Sequence, residues 1–212
     1  MLNENISNKK AFSIIALVFV LYIGVTYALA TLTPITTPAT YTLIGVNIVI
    51  FALIKLNKLS VGQLCVSGFR VQHQKQYYRI ITSEFTHEAP LHILCNMYSL
   101  YNVGTLLESN FGTLTLSFWY FIIAFLGGFL AYIVHTKYQP MTPSIGASGV
   151  ICGLVGVLLV IGILTGNIEL LKWIGQSVLI LLVMSFSPRI DSVGHFCGLA
   201  AGVITGFLFF LF

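Results

Sequence analysis

The chain has 212 residues, of which 57% are hydrophobic and only 8% charged, with a net charge of +4. An ordinary soluble domain carries about 25% charged residues, so a water-soluble globule is excluded and an integral membrane protein is expected. The few basic residues are scattered and form no stripe interleaved with aromatics, which excludes a nucleic-acid footprint.

A spanning helix needs roughly 20 apolar residues. Segments of that kind fall at 11–32, 39–54, 89–107, 113–134, 144–166, 170–187 and 193–212. Lys9 and Lys10 precede the first, and Ala28-Leu29-Ala30 near its end has the look of a signal-peptide cleavage site. The uncharged run is longer than the core of about 7–15 residues that such peptides use, which predicts a retained helix. The connection over 55–88 is too short and mixed for a second domain. The expected division is therefore a tail and additional helix over 1–38 and a helical domain over 39–212. There is no fixed-period repeat. Cys65, Cys95, Cys152 and Cys197 contain no CxxC pair, and the histidines show no HExxH spacing. Buried thiols, no metal and no cofactor are expected.

Three polar groups stand where membrane helices normally avoid them. His92 and Asn96 open the segment 89–107, Ser148 falls near the start of 144–166, and His195 opens 193–212. One apolar segment separates each from the next. If every segment spans, these three helices run the same way and present their polar ends at one side of the membrane. Such groups are costly in lipid and are a functional hypothesis by default. Each also has a structural reading. Gly-Ala-Ser-Gly at 146–149 suits close helix packing, with serine bonded to its own backbone. His195 could cap a helix start, and His92 with Asn96 could be interhelical hydrogen-bond glue.

Position favours chemistry. Pro143 and Ser144 put Ser148 in or near the first turn of its helix, where unpaired N–H groups and the helix dipole favour negative charge. Gly194, Gly198, Gly202 and Gly206 recur every four residues, and Gly149, Gly153 and Gly156 form a comparable stripe. Two bare stripes let backbones approach closely. That brings a hydroxyl and an imidazole within the roughly 2.6–3.2 Å that proton transfer needs. His92 and Asn96, four apart on one helix face, are donors suited to an oxyanion. Asp191 lies four residues before His195, but with Arg189 it reads as part of a polar connection. The expected site is thus a Ser148–His195 dyad. A small transporter using the same residues is disfavoured, because intramembrane carboxylates are lacking.

These residues together resemble the rhomboid family of intramembrane serine proteases, over about residues 40–212. The elements come in the family's order: Tyr78-Arg79, then His87, His92 and Asn96, then Gly104 and Glu108, then Gly146-Ala147-Ser148-Gly149, then Gly194-His195 with Gly198 and Gly202. The resemblance implies an all-α polytopic membrane protein with six core helices, to which the apolar segment 11–32 adds one N-terminal helix. It implies Ser148 as nucleophile, His195 as base, and His92 with Asn96 as the oxyanion-binding pair. His87, Arg79 and Glu108 match positions that hold the long first loop and its neighbouring helix, while Gly146, Gly149 and Gly198 support the site. The implied activity is cleavage of single-pass transmembrane proteins within or near the bilayer, in the plasma membrane of a bacterium. The alternative is a catalytically inactive relative that binds membrane helices, against which the intact polar set argues.

The loop Phe69–Ser83 and the segment 170–187 are the expected gates for lateral substrate entry. Two departures stand out. Many family members carry an aromatic residue four after the serine, stacked on the histidine. Here it is Cys152, expected to face the site, with Phe196 or a neighbouring helix packing His195 instead. An aromatic replacing Cys152 is expected to overpack the glycine-lined contact. The other departure is the additional segment 11–32. With the family's orientation it leaves only Lys172 among the basic residues on the cytoplasmic side, against the positive-inside tendency.

Overall fold

The computed structural model describes residues 6–184 and 191–211. Every predicted apolar segment coincides with a helix. These are α1 (Asn8–Leu32) and α2 (Pro38–Lys55), followed after a folded connection by α6 (Pro90–Phe111), α7 (Thr113–Tyr138), α8 (Ser148–Thr165), α9 (Ile168–Met184) and α10 (Ser192–Leu211). Five of them, α1, α2, α7, α8 and α10, are long and apolar enough to cross a bilayer. The remaining two fall short for different reasons. α6 carries His92, Asn96, Asn102, Glu108 and Asn110, and α9 has 17 described residues. Residues 185–187 of the last predicted gate, and Arg189, lie outside the described residues.

The connection 55–88 is better organised than its mixed composition suggested. It holds three short helices, α3 (Val61–Leu64), α4 (Gly68–Gln74) and α5 (Arg79–Thr82), and a 3-10 turn over Ser83–Phe85. Local chemistry sets two of these. Ser60 and Gln63 form a reciprocal capping box on α3, and the Ser67 hydroxyl caps α4. Val66, Val71 and Ile80 pack against Tyr132 of α7, so the connection is a lid fastened to the bundle.

α8 lies at the centre. Half of its apolar window, 50%, is buried inside the protein, against 11% for α1, which makes α1 the peripheral helix. The main core joins Leu43, Leu100, Leu107, Trp119, Tyr120, Leu154 and Val157 from α2, α6, α7 and α8. α1 attaches through Tyr22, whose hydroxyl meets Ser117 of α7 at 2.6 Å and whose ring meets Phe121 edge-on. In lipid there is no hydrophobic drive between helices, so association rests on close van der Waals contact. The α8–α10 pair shows it. A Cβ added at Gly153 would lie 2.8 Å from the Gly198 carbonyl oxygen, and one at Gly156 would lie 2.5 Å from that of Leu199. The two predicted glycine stripes face each other.

α6, α8 and α10 run the same way, and their starts share one end with the lid. α1 begins at that end too, since the Asn8 amide donates to the Lys75 carbonyl at 3.0 Å. Lys9, Lys10, Lys55, Lys58, Lys75 and Lys137 therefore collect around the site end, with Lys172 at the opposite one. The positive-inside tendency and the family's orientation pull in opposite directions for this chain.

Candidate active site

Gly146 sets the approach to Ser148. Its φ of +113° is a left-handed region that side chains rarely adopt. A Cβ there would also lie 2.7 Å from His92 Nε2 and 3.3 Å from Asn96 Nδ2. Only glycine fits on both counts, and its conformation delays the helix from the predicted 144 to Ser148. Ser148 is thus the first residue of α8, where the dipole and unpaired N–H groups favour an oxyanion.

Ser148 Oγ lies 2.7 Å from His195 Nε2, across from the first turn of α10. Both residues are half-buried. For the imidazole to accept the hydroxyl proton, Nε2 must be free and Nδ1 must carry hydrogen. His195 Nδ1 is buried and meets no hydrogen-bond partner among the described residues. Asp191 does not reach it. The geometry is that of a dyad without a third carboxylate member.

His92 and Asn96 lie against Gly146, two residues before Ser148. Asn96 is held from behind by the fully buried His87, whose Nε2 accepts from Asn96 Nδ2 at 2.8 Å and from the Ala147 N–H at 3.5 Å. Burial, with His92 nearby and the Phe85 carbonyl opposing, pushes the His87 pKa down to about 4. The ring therefore stays neutral and keeps its acceptor. One Asn96 amide hydrogen is taken by His87, and the other is available to a substrate oxygen.

Arg79 is fully buried in the lid and donates to Gln76 at 2.6 Å and to the carbonyls of Gly62 and Cys65 at 2.8 and 2.9 Å. It ties the lid to itself. Glu108 acts on the neighbouring helix instead. Its carboxylate accepts from the Ala39 and Thr40 N–H groups at 2.8 Å each, capping α2 at the end of the bundle away from Ser148. Gly149 faces the Gly194 carbonyl, and Gly198 faces the Gly149 carbonyl with no room for a Cβ.

Cys152 lines a cleft of about 350 Å³ with Tyr98, Asn102, Trp173, Ser177 and Leu199, between α6, α8, α9 and α10. Neither Ser148 nor His195 lines that cleft. Phe196 is exposed and does not cover the imidazole, and among the described residues no aromatic ring stacks on His195.

Sequence reasoning passed over Glu84. Its only signal was a carboxylate set among Ile80, Ile81 and Phe85. Its Oε2 is buried without a hydrogen-bond partner and faces Gly149. Burial and the nearby Asp191 push its pKa up to about 8, with the Val150 N–H opposing. Glu84 is therefore protonated in the fold at neutral pH but ionised in the unfolded chain. Its contribution to stability is whole below the ordinary carboxyl range and is lost as pH rises toward about 8. Glu84→Gln is expected to leave the melting temperature in detergent unchanged near pH 5 and to raise it near about pH 8. Equal melting of wild type and variant across that range would show that Glu84 ionises freely in the fold.

A hydroxyl and an imidazole in contact, beside an amide and a second imidazole, form a candidate serine-hydrolase centre. The Rhomboid domain family model matches residues 74–212, including every residue of that centre. RHOMBOID-like protein 5 of Arabidopsis thaliana is 34% identical over 67% of this chain and 47% of its own length. Rhomboid protease GluP of Bacillus subtilis is 28% identical over 77% of this chain and 33% of its own, and Rhomboid-like protease 3 of Toxoplasma gondii is 30% identical over 60% and 50%. The chain belongs to the rhomboid family. It spans a third to a half of the length of these relatives.

Proposed function

We propose that this protein is an intramembrane serine endopeptidase that cleaves single-pass transmembrane proteins within or near the bilayer. The observation that carries the reading is the 2.7 Å contact of Ser148 Oγ with His195 Nε2, at a helix start flanked by His92 and Asn96. Ser148 attacks the scissile carbonyl as His195 Nε2 takes its proton. The oxyanion is held by the free Asn96 hydrogen, His92 and the N-terminal N–H groups of α8. His195 then gives its proton to the leaving amine, and water deacylates Ser148 with His195 as base.

The cleft beside Cys152 opens between α6 and α9, one helical turn along α8 from Ser148. It is a lateral path for an unwound substrate segment. Helices interrupted by glycine, proline or small polar residues unwind at least cost there. The relatives come from plants, Bacillus and Toxoplasma, and one is named as mitochondrial. That spread gives no support to the expected bacterial plasma membrane, so the reading is for an integral membrane enzyme of unassigned compartment.

A fluorophosphonate probe tests the reading. The folded protein should form one adduct that maps to Ser148 and vanishes in Ser148→Ala; a folded protein that takes no adduct rejects it. The oxyanion pair has its own test. Asn96→Ala is expected to lower kcat by about 10–10³-fold with KM little changed. A rise in KM alone would assign Asn96 to substrate binding.

A further inference from the structure

Asp191 is a half-buried carboxylate near the dyad that the mechanism does not use. Its side chain is 21% exposed, and it opens α10. Its Oδ1 accepts the Gly194 N–H at 2.9 Å, a helix cap on the turn that carries His195. His135 of α7 lies with Nε2 at 3.1 and 3.3 Å from the two carboxylate oxygens. The Ser144 hydroxyl donates to Oδ2. Burial works against the charge, but these partners outweigh it and hold the Asp191 pKa down at about 2.

The placement of Ser144 gives this cluster its meaning. Ser144 stands four residues before Ser148, as Asp191 stands four before His195. Its backbone is paired with Val66 of the lid in both directions, at 2.8 and 3.2 Å, so it cannot drift from the lead-in to the nucleophile. On the other side, the Asp191 carbonyl accepts the His195 N–H at 3.2 Å. A Cβ at Gly194 would lie 2.6 Å from Asp191 Oδ2, so the carboxylate sits hard against the histidine's helix. One carboxylate thus joins the chain leading to the serine with the turn bearing the histidine. The glycine stripes press α8 and α10 together along their length, and the carboxylate adds a polar link where the two helices start.

We propose that Asp191, through Ser144 and buttressed by His135, is a positioning residue for the Ser148–His195 contact. This rests on the protease reading. It differs from a catalytic triad in that Asp191 touches neither the imidazole ring nor the substrate. Glu84, protonated and across the same small space, adds no second charge to the cluster at neutral pH.

The test uses the full-length protein in detergent. It measures kcat and KM on a single-pass substrate and the rate of fluorophosphonate labelling, which needs no substrate binding. Loss of register by a fraction of an ångström to about 1 Å costs up to about 10²-fold in rate. Asp191→Ala should therefore label and turn over about 10–10²-fold more slowly, with KM unchanged. Asp191→Asn keeps an oxygen for the Gly194 N–H and an amide for Ser144 or His135, and should recover most of that loss. Ser144→Ala should slow labelling by itself and add nothing in the Asp191→Ala background, because both act through one link. If Asp191→Ala fails to fold, Ser144→Ala carries the test by itself: slower labelling at an unchanged melting temperature is expected, and labelling at the wild-type rate overturns the proposal.

Labelling of Asp191→Ala at the wild-type rate, or full additivity with Ser144→Ala, overturns the proposal. So does an equal loss in Asp191→Asn and Asp191→Ala that tracks melting temperature. A folded wild type that takes no label ends the protease reading and the clamp with it. A labelled wild type with an unaffected Asp191→Ala ends the clamp alone.

Discussion

Ser148→Ala is expected to abolish cleavage of a single-pass substrate, and His195→Ala to do the same. Without Ser148 there is no oxygen to form the acyl-enzyme. Without His195 the Ser148 hydroxyl loses the acceptor it meets at 2.7 Å, and the Asp191 carboxylate is committed to His135, Ser144 and the Gly194 N–H. The two residues form one unit, so the double variant should be no worse than either single one. Neither change should unfold the protein. The Ser148 hydroxyl and the imidazole are half-buried and meet each other, so each substitution removes one hydrogen bond, worth about 0.5–1.5 kcal/mol. Turnover and melting temperature measured on the same preparations check this. Retained turnover in a folded Ser148→Ala would end the serine mechanism, whatever the geometry.

The sequence carried those features that depend on spacing along one helix or on counting helices. The parity of apolar segments put Ser148, His195 and the His92–Asn96 pair at one end of the bundle. The four-residue glycine recurrence marked the α8–α10 contact. Other features depend on which elements meet in space, and these were not legible. The lid over 55–88 looked like a mixed loop because its helices are short, and their burial comes from Tyr132 of α7. Cys152 was expected to face the site because it lies one turn from Ser148. The cleft that Cys152 lines with residues of α6 and α9 is recorded by no spacing within α8. The Asp191–Ser144 link spans 47 residues and involves His135 from a third element, so neither local segment announces it. Asp191 looked like a failed triad member because only its distance along the chain from His195 was visible.

The glycine stripe yields the other large effect, and it is graded by position. Gly202→Ala is expected to separate α8 from α10, lowering the melting temperature sharply and slowing fluorophosphonate labelling even well below that temperature. A Cβ at Gly202 would fall on the carbonyl of Gly153, and the obstacle is backbone, which cannot rotate aside as a side chain would. Overpacking of this kind costs about 1–3 kcal/mol where neighbours can adjust. A rigid wall puts Gly202 at the upper end or beyond. The better helix propensity of alanine returns at most about 1 kcal/mol. Gly202 lies seven residues beyond His195, two turns along the same helix. A displacement that relieves the clash must therefore also lengthen the 2.7 Å contact with Ser148. Gly206→Ala should be much milder, because the nearest atom is the Val160 side chain at 3.1 Å, which can yield. Gly175→Ala, with nothing within 4 Å, should have no such effect. Wild-type melting and labelling in Gly202→Ala would mean that α8 and α10 do not meet backbone to backbone, and the support of the dyad would have to lie elsewhere.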